Sequence, residues 1–276
     1  MINKLLILRE LIKRWVANIS GTAKNGKKQL IICGYPRSGT SLFYNMVASS
    51  IQGFNVDEWE TSAIDSIWRY DNHASKAPID IFNLESIAEK NIHNKELCVV
   101  VLMRDARDII TSHHQFSPDD FVIGYQGAYS FSGEYPDYVK KFDGPGIEKY
   151  YSAMLKLAGN DKFNLLVIKY EDVVADPDAC QLRMSETFSI EFDGTFSSYH
   201  LRKDKHKLKY EGKHTSLDKK LEKSSSQVEK KFVKRWADDK YRDRIKEQFT
   251  DYPQLFDILI EQGYEKSTDW FEEFKS

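Results

Sequence analysis

The sequence predicts an α/β fold in three layers, a central parallel sheet flanked by helices. Three observations predict it. Apolar runs at residues 30–33, 97–103 and 163–169 lack the alternation of a half-wet strand, as strands covered on both faces do. Each run ends in a turn and is followed by apolar residues at helical spacing. The length of 276 residues, 41% of them hydrophobic and 13% aromatic, suffices for one large domain of this kind.

In chain order, residues 1–28 read as an amphipathic helix and a linker. Leu5, Leu8, Leu11, Ile12, Trp15 and Val16 fall on one helical face, with Lys4, Lys13 and Arg14 elsewhere. The apolar stretch 5–8 is cut by Arg9 and Glu10, too early for a signal peptide. No apolar run approaches the ~20 residues needed to span a bilayer, so a cytoplasmic protein is expected. The helix has two uses open to it, packing on the domain or a weak contact of residues 1–20 with a membrane surface. Residues 21–28, with two glycines and three lysines, lead into a domain spanning 29–276.

The organising stretch is 29–50. After the first strand, Gly34, Pro36 and Gly39 break the run, and Leu42, Phe43, Met46 and Val47 resume at helical spacing. A strand, a tight glycine-bearing loop and a helix make an anion site, because the first-turn N–H groups and the positive end of the helix dipole face the loop. Arg37 adds a permanent charge, and Thr40 and Ser41 add hydroxyl donors. The spacing from Gly34 to Gly39 is that of a nucleotide P-loop, which makes the fold P-loop-like. A P-loop NTPase follows its second glycine with Lys and Ser/Thr, for the phosphates and Mg²⁺. Here Thr40 stands in the lysine's place. A phosphosulfate carries less charge on its transferring group than a triphosphate and can be held without metal. The run Pro36-Arg-Ser-Gly-Thr-Ser41 resembles the 5′-phosphosulfate loop of sulfotransferases, which bind 3′-phosphoadenosine-5′-phosphosulfate (PAPS).

Residues 51–57 read as a second strand, with Phe54 and Val56 alternating, and Glu58 and Glu60 follow it on either side of Trp59. The segment 61–79, with Trp68, Tyr70, His73 and Lys76, has no assignable period, and 79–91 has helical spacing. The buried strand 97–103 ends in Arg104, with Ser112 two turns into the following helix. Arg and Ser so placed can grip one phosphate from two sides. This pair resembles the 3′-phosphate segment of sulfotransferases, an arginine after an apolar strand and a serine eight positions on. His113 and His114 lie on the same helix. Residues 117–146 form an insertion rich in aromatics, among them Phe121, Tyr125, Tyr129, Phe131, Tyr135, Tyr138 and Phe142, which reads either as an acceptor-site cover or as plain packing. A helix at 147–158 and the strand 163–169 follow. The latter leads into Tyr170-Glu-Asp, which resembles the sulfotransferase segment whose tyrosine lies against adenine. Asp176-Pro177 starts a helix reaching about residue 188. The basic stretch 200–236 resembles, in divergent form, the family's late cofactor-covering segment, with Arg235 and Trp236 as its basic–Trp pair and without an Arg-Lys-Gly triplet. Two helical patches between 240 and 262 close the domain.

A net charge of −2 argues against a dedicated nucleic-acid binder. Three cysteines give no disulfide framework; Cys33, Cys98 and Cys180 read as small core residues, and no metal-ligand spacing appears.

By this resemblance the protein is a PAPS-dependent sulfotransferase, with 3′,5′-ADP as its product and no metal required. Its cofactor contacts would be Arg37, Ser38, Gly39, Thr40, Ser41, Arg104, Ser112, Tyr170, Arg235 and Trp236. Arg37 would also stabilise charge during transfer. In-line transfer further needs a base for the acceptor proton. Family members use either a histidine between the two phosphate segments or a glutamate just beyond the second strand. The candidates are Glu60, Glu58, His73 and His93, in that order, with Lys76 a further contact to the sulfuryl group. The carboxylates favour a carbohydrate or glycolipid acceptor; a small phenol or alcohol or a peptide tyrosine stays open. The alternatives from other classes are a P-loop kinase with an altered loop and a catalytically inactive nucleotide-binding scaffold.

Overall fold

The computed structural model describes residues 4–20, 27–112, 120–131, 140–202 and 233–275. Among these, a parallel five-stranded sheet runs in the order β2 (Asn55–Val56), β3 (His73–Lys76), β1 (Lys28–Gly34), β4 (Glu96–Met103) and β8 (Asn164–Lys169). Its register aligns Ile32 with Lys76 on one side and with Val100 on the other, and Val100 with Leu166. The expected α/β architecture with a central parallel sheet is the observed one.

Alternate residues of the central strands point to opposite faces. Ile31, Cys33, Val99, Val101 and Met103 pack against α3 (Leu84–Glu89), α4 (Ala106–Ile110), α5 (Ile147–Leu157), α8 (Arg242–Asp251) and α9 (Gln254–Glu261). Leu30, Ile32, Cys98, Val100 and Leu102 pack against α2 (Thr40–Ala48) and α7 (Pro177–Phe188). These two apolar cores, one on each face, explain why β1 and β4 read as unbroken apolar runs. Pro177 opens α7, and the Asp176 side chain accepts from Ala179 N at 2.9 Å, so the helix starts where Asp-Pro predicts. The three thiols are buried and unpaired.

The structure corrects one expected element and specifies three that the sequence left open. The strand expected at 51–57 shrinks to two residues, β2, at the sheet edge. The strand that actually flanks β1 is β3, whose His-Ala-Ser-Lys is wholly buried yet almost wholly polar. The insertion folds as an antiparallel sheet of β5 (Asp120–Ile123), β6 (Gly127–Phe131) and β7 (Lys140–Pro145). It is tied to α8 by Tyr125, whose N–H donates to Gln248 Oε1 at 3.1 Å and whose ring stacks on Tyr252 at 5.1 Å. Tyr135 and Tyr138, like His113, His114 and most of the basic stretch, lie outside the described residues. Finally, α1 (Lys4–Ile19) rests on the domain through its charged side. Glu10 is the buried residue of this helix, and its apolar stripe faces outward. Among the described residues no helix is long and apolar enough to cross a membrane.

Candidate active site

The carboxyl ends of β1, β3, β4 and β8 converge where the strand order switches direction around β1, the place where open parallel sheets bind ligands. Gly34 turns the chain off β1 at φ +120°. A Cβ there would lie 2.2 Å from the carbonyl oxygen of Leu102, so the chain can cross β4 only without one. Tyr35 N then donates to that carbonyl at 2.9 Å. Ser38 closes the turn with its hydroxyl, which donates to Tyr35 O at 2.6 Å. Arg37 at φ +66° and Gly39 at φ +81° are both left-handed. Gly39 is the N-cap of α2 and offers no side chain, so the first-turn N–H groups open on the loop without a side-chain cap.

The two sequence-predicted phosphate segments meet. Arg37 Nε donates to Ser112 Oγ at 3.0 Å, and Arg104 Nη1 donates to the Arg37 carbonyl at 3.0 Å. The Arg104 guanidinium lies 4.5 Å from the Tyr170 ring centre, a cation–π contact. That ring also presses on the loop, since a Cβ on Gly39 would fall 2.5 Å from Tyr170 Cδ2. Arg37, Gly39, Arg104, Ser112 and Tyr170 therefore form one contiguous surface. Of the remaining loop residues, Ser38 spends its hydroxyl within the loop, and Thr40 is buried at the start of α2.

Behind Arg104 stands Asp108, with Arg104 Nη2 at 3.5 Å. Its carboxylate accepts from Lys234 N at 3.0 Å and Trp236 N at 3.2 Å, which fastens the start of the C-terminal segment to α4. Burial pushes the Asp108 carboxyl up from its ordinary range, and Arg104 opposes that rise. The Trp236 ring lies 3.9 Å from the Arg107 guanidinium and 5.4 Å from Trp270, within the C-terminal aromatic cluster. Arg107, which the sequence reading passed over, binds Asp105 through Nε at 3.0 Å and Nη2 at 2.7 Å, and Glu265 through Nη1 at 2.6 Å. Arg235 engages the Tyr241 hydroxyl.

The third wall comes from β3. Lys76, at the carboxyl end of that strand, is buried, and its Nζ donates to Ser41 Oγ at 3.0 Å and pairs with Glu60. An isolated antiparallel bridge between Thr61 and Lys76 brings Glu60 over the lysine. Asp80 steadies this stretch by accepting from Ser62 Oγ at 2.5 Å and Ala63 N at 2.8 Å. Burial pushes the Lys76 ammonium below its ordinary pKa, the Glu60 carboxylate opposes this, and the Arg37 charge adds to it. Tyr150 stands close enough to Glu60 to feel its charge; burial, reinforced by Glu60, raises its hydroxyl to about 12. Its ring meets Tyr35 at 5.8 Å and Phe82 at 4.8 Å, a packed aromatic group of which Phe82 is exposed.

The other base candidates are placed differently. Glu58 is exposed, as Glu60 is, on the same segment, but Lys76 pairs with Glu60. His73 begins β3 opposite Gln29, three residues short of Lys76, and its Nε2 is 2.9 Å from Asp57 Oδ1. That is roughly 10 Å of strand from the loop end. His93 lies before β4, with Nε2 3.0 Å from Trp68 O, at the opposite end of the sheet from Arg104. Among the described residues no cluster of three or more His, Cys, Asp or Glu could hold a metal ion.

This surface combines an uncapped helix start, two arginines, a buried lysine and a carboxylate. It can hold an anion at two points and take a proton beside one of them. The model of a family described as "Sulfotransferase domain" matches residues 27–268. Among solved structures, one titled "Sulfotransferase Domain from the Curacin Biosynthetic Pathway" is similar with a TM-score of 0.38 and 12% identity, covering 77% of this chain and 96% of that one. No curated protein matches the sequence.

Proposed function

Because the chain belongs to the sulfotransferase domain family, we propose that it takes PAPS as its donor and carries the sulfuryl group to an acceptor hydroxyl, that of a carbohydrate or glycolipid. One observation carries the reading. The bonds from Arg37 to Ser112 and from Arg104 to the Arg37 carbonyl join the loop and the β4 tip into one donor surface. The residues fit the cofactor's two anionic ends. The open first turn of α2 with Arg37, Thr40 and Ser41 suits the phosphosulfate, and Arg104 with Ser112 suits a 3′-phosphate. Tyr170, already a cation–π platform for Arg104, would border the adenine. When bound, PAPS supplies an activated sulfuryl group on its phosphate.

The chain's own groups do the rest. Arg37, the α2 N–H groups and Lys76 stabilise negative charge where it develops. Glu60 takes the acceptor proton, favoured over Glu58 because it is the carboxylate joined to Lys76. As Glu60 is protonated it ceases to offset Lys76, whose charge then serves the transferred group. Asp80 holds the segment that follows Glu60 through Ser62 and Ala63, and Phe82, exposed and packed on the buried Tyr150, offers a ring against which a sugar or lipid-linked acceptor can lie. The buried, unpaired thiols suit a reducing, cytoplasmic setting.

Isothermal titration tests the reading. The chain should bind 3′,5′-ADP without added metal, with Kd below about 1 mM, and Arg37→Ala and Arg104→Ala should each weaken it at least about tenfold. Mg²⁺-dependent ATP binding in preference to 3′,5′-ADP would favour the kinase alternative. Unchanged affinity in both variants would overturn the site.

A further inference from the structure

Helix α1 is amphipathic in the reverse sense to a packed surface helix. Such a helix turns its apolar stripe to the core. Here Glu10 is the buried residue, and it accepts from Tyr70 N at 3.0 Å and pairs with Lys13 at 2.8 Å. Lys13 also reaches Asp71 at 3.5 Å, and Arg14 donates to Ile92 O at 3.0 Å. The polar side thus orients the helix. At 100° per residue, Leu8, Ile12, Trp15, Val16 and Ile19 centre on the side opposite Glu10. Those five side chains are 50–67% exposed, where an isolated exposed leucine would be unremarkable but a whole stripe is not.

We infer that this stripe is a docking face for an anionic lipid bilayer. Two observations select that occupant. First, Lys4 and Arg9 flank the stripe as exposed cations, while Lys13 and Arg14 are engaged by the domain and the single acid of the helix, Glu10, is turned inward and paired. A rim of one sign complements anionic headgroups, while a second copy of the chain would bring like charges together. Second, a cleft of about 540 Å³ opens beside the stripe. Its lining includes Arg9, Lys13 and Lys27 with one acid, Asp71, together with Ile12 and Val16 of the stripe itself. A lining that joins these cations to apolar residues of the stripe matches a phosphorylated headgroup whose chains lie along the helix. Trp15, in the stripe, is of the residue type that prefers the lipid–water boundary. The helix would lie in the plane of the surface, with the domain held against it by the Glu10 and Arg14 contacts.

The test is co-sedimentation of the whole chain with vesicles of phosphatidylcholine alone, and of phosphatidylcholine mixed with phosphatidylglycerol. The chain should pellet with the anionic vesicles and be released by raised salt. Leu8→Asn with Trp15→Asn should cut partitioning about tenfold or more at unchanged Tm, because both side chains are already exposed in the free protein. Lys4→Gln with Arg9→Gln, a change that touches no apolar residue, should reduce binding to the anionic vesicles by a similar factor. Absence of pelleting, or pelleting indifferent to both pairs of substitutions, would overturn the inference. So would a dimer in sedimentation velocity that the Leu8 and Trp15 changes dissolve, since the stripe would then be a subunit interface. Vesicle binding needs no cofactor, so this outcome is independent of the proposed reaction.

Discussion

Replacing Lys76 with methionine separates what this lysine does for the reaction from what it does for the fold. The side chain is 2% exposed, and burial depresses its ammonium pKa. Moving an ion that far from water costs several kcal/mol before its contacts return anything. Those contacts are Ser41 Oγ at 3.0 Å and Glu60, whose side chain is 43% exposed and keeps part of its hydration. A pair of that kind returns about 1 kcal/mol or less. Methionine is similar in length and has no charge to desolvate, so the folded chain should gain about 1 kcal/mol, or about 2–4 °C in Tm for a chain of this size. The reaction should respond in the opposite sense. A fixed donor aimed at developing charge is worth about 10²–10³ in kcat, and Lys76→Met should lose that much while binding 3′,5′-ADP nearly as before. Transfer from labelled PAPS, thermal unfolding and titration calorimetry on one preparation read all three quantities. A kcat unchanged within a factor of about three would remove Lys76 from the sulfuryl pocket. A Tm lowered by several degrees would make it a structural prop instead.

Three further outcomes are expected. Glu60→Gln should lower turnover about 10²-fold with cofactor affinity intact, and Glu58→Gln should have little effect; comparable rates in the two variants would move the base elsewhere. Gly39→Ala must hold φ +81° and place a methyl 2.5 Å from Tyr170 Cδ2, so it should displace the ring from Arg104 and weaken 3′,5′-ADP at least about tenfold by titration. The Lys95 ammonium, with Gln29 Oε1 at 3.1 Å, is pushed by burial down to about 7 from an ordinary 10.5. Between those values the unfolded chain holds a proton that the folded chain has released, so stability rises with pH across that window by up to about 1.4 kcal/mol per unit. Lys95→Met should flatten the rise in Tm between pH 7 and pH 9; an unaltered slope would mean that the amine is solvated.

The parts of the site that sequence reasoning located are those where backbone geometry and residue type coincide. Gly34 and Gly39 are needed because a Cβ would strike Leu102 or Tyr170, and the helix after them must leave its first N–H groups open. Arg104 is fixed at the end of β4 by an apolar strand whose period is unmistakable. The surroundings of the base candidates were harder to read. Lys76 and His73 share a four-residue strand without an apolar run, so no hydrophobic period marked β3 or told which end of it faced the loop. The bridge from Thr61 to Lys76 sets Glu60 against the lysine, a pairing between segments with no local signal. Asp80 and Arg107 went unnoticed for the same reason, since their partners Ala63 and Glu265 are set by the tertiary fold.

Sequence alone determined the parallel sheet, the glycine-bearing turn between β1 and α2, and the family. These rest on interactions within one strand–turn–helix unit, where steric limits on glycine and the burial of both sheet faces act residue by residue. Tertiary structure alone decided that β3 lies beside β1 and that Lys76 and Glu60 close the pocket. It also decided that α1 turns Glu10, Lys13 and Arg14 toward the domain. The composition of that helix favours an apolar contact, yet the Tyr70 N–H, the Ile92 carbonyl and Asp71 were there to take its polar groups, and those partners belong to distant parts of the chain. Which face of an amphipathic helix is buried depends on what its neighbours can bond, and that is fixed only once the rest of the domain is in place.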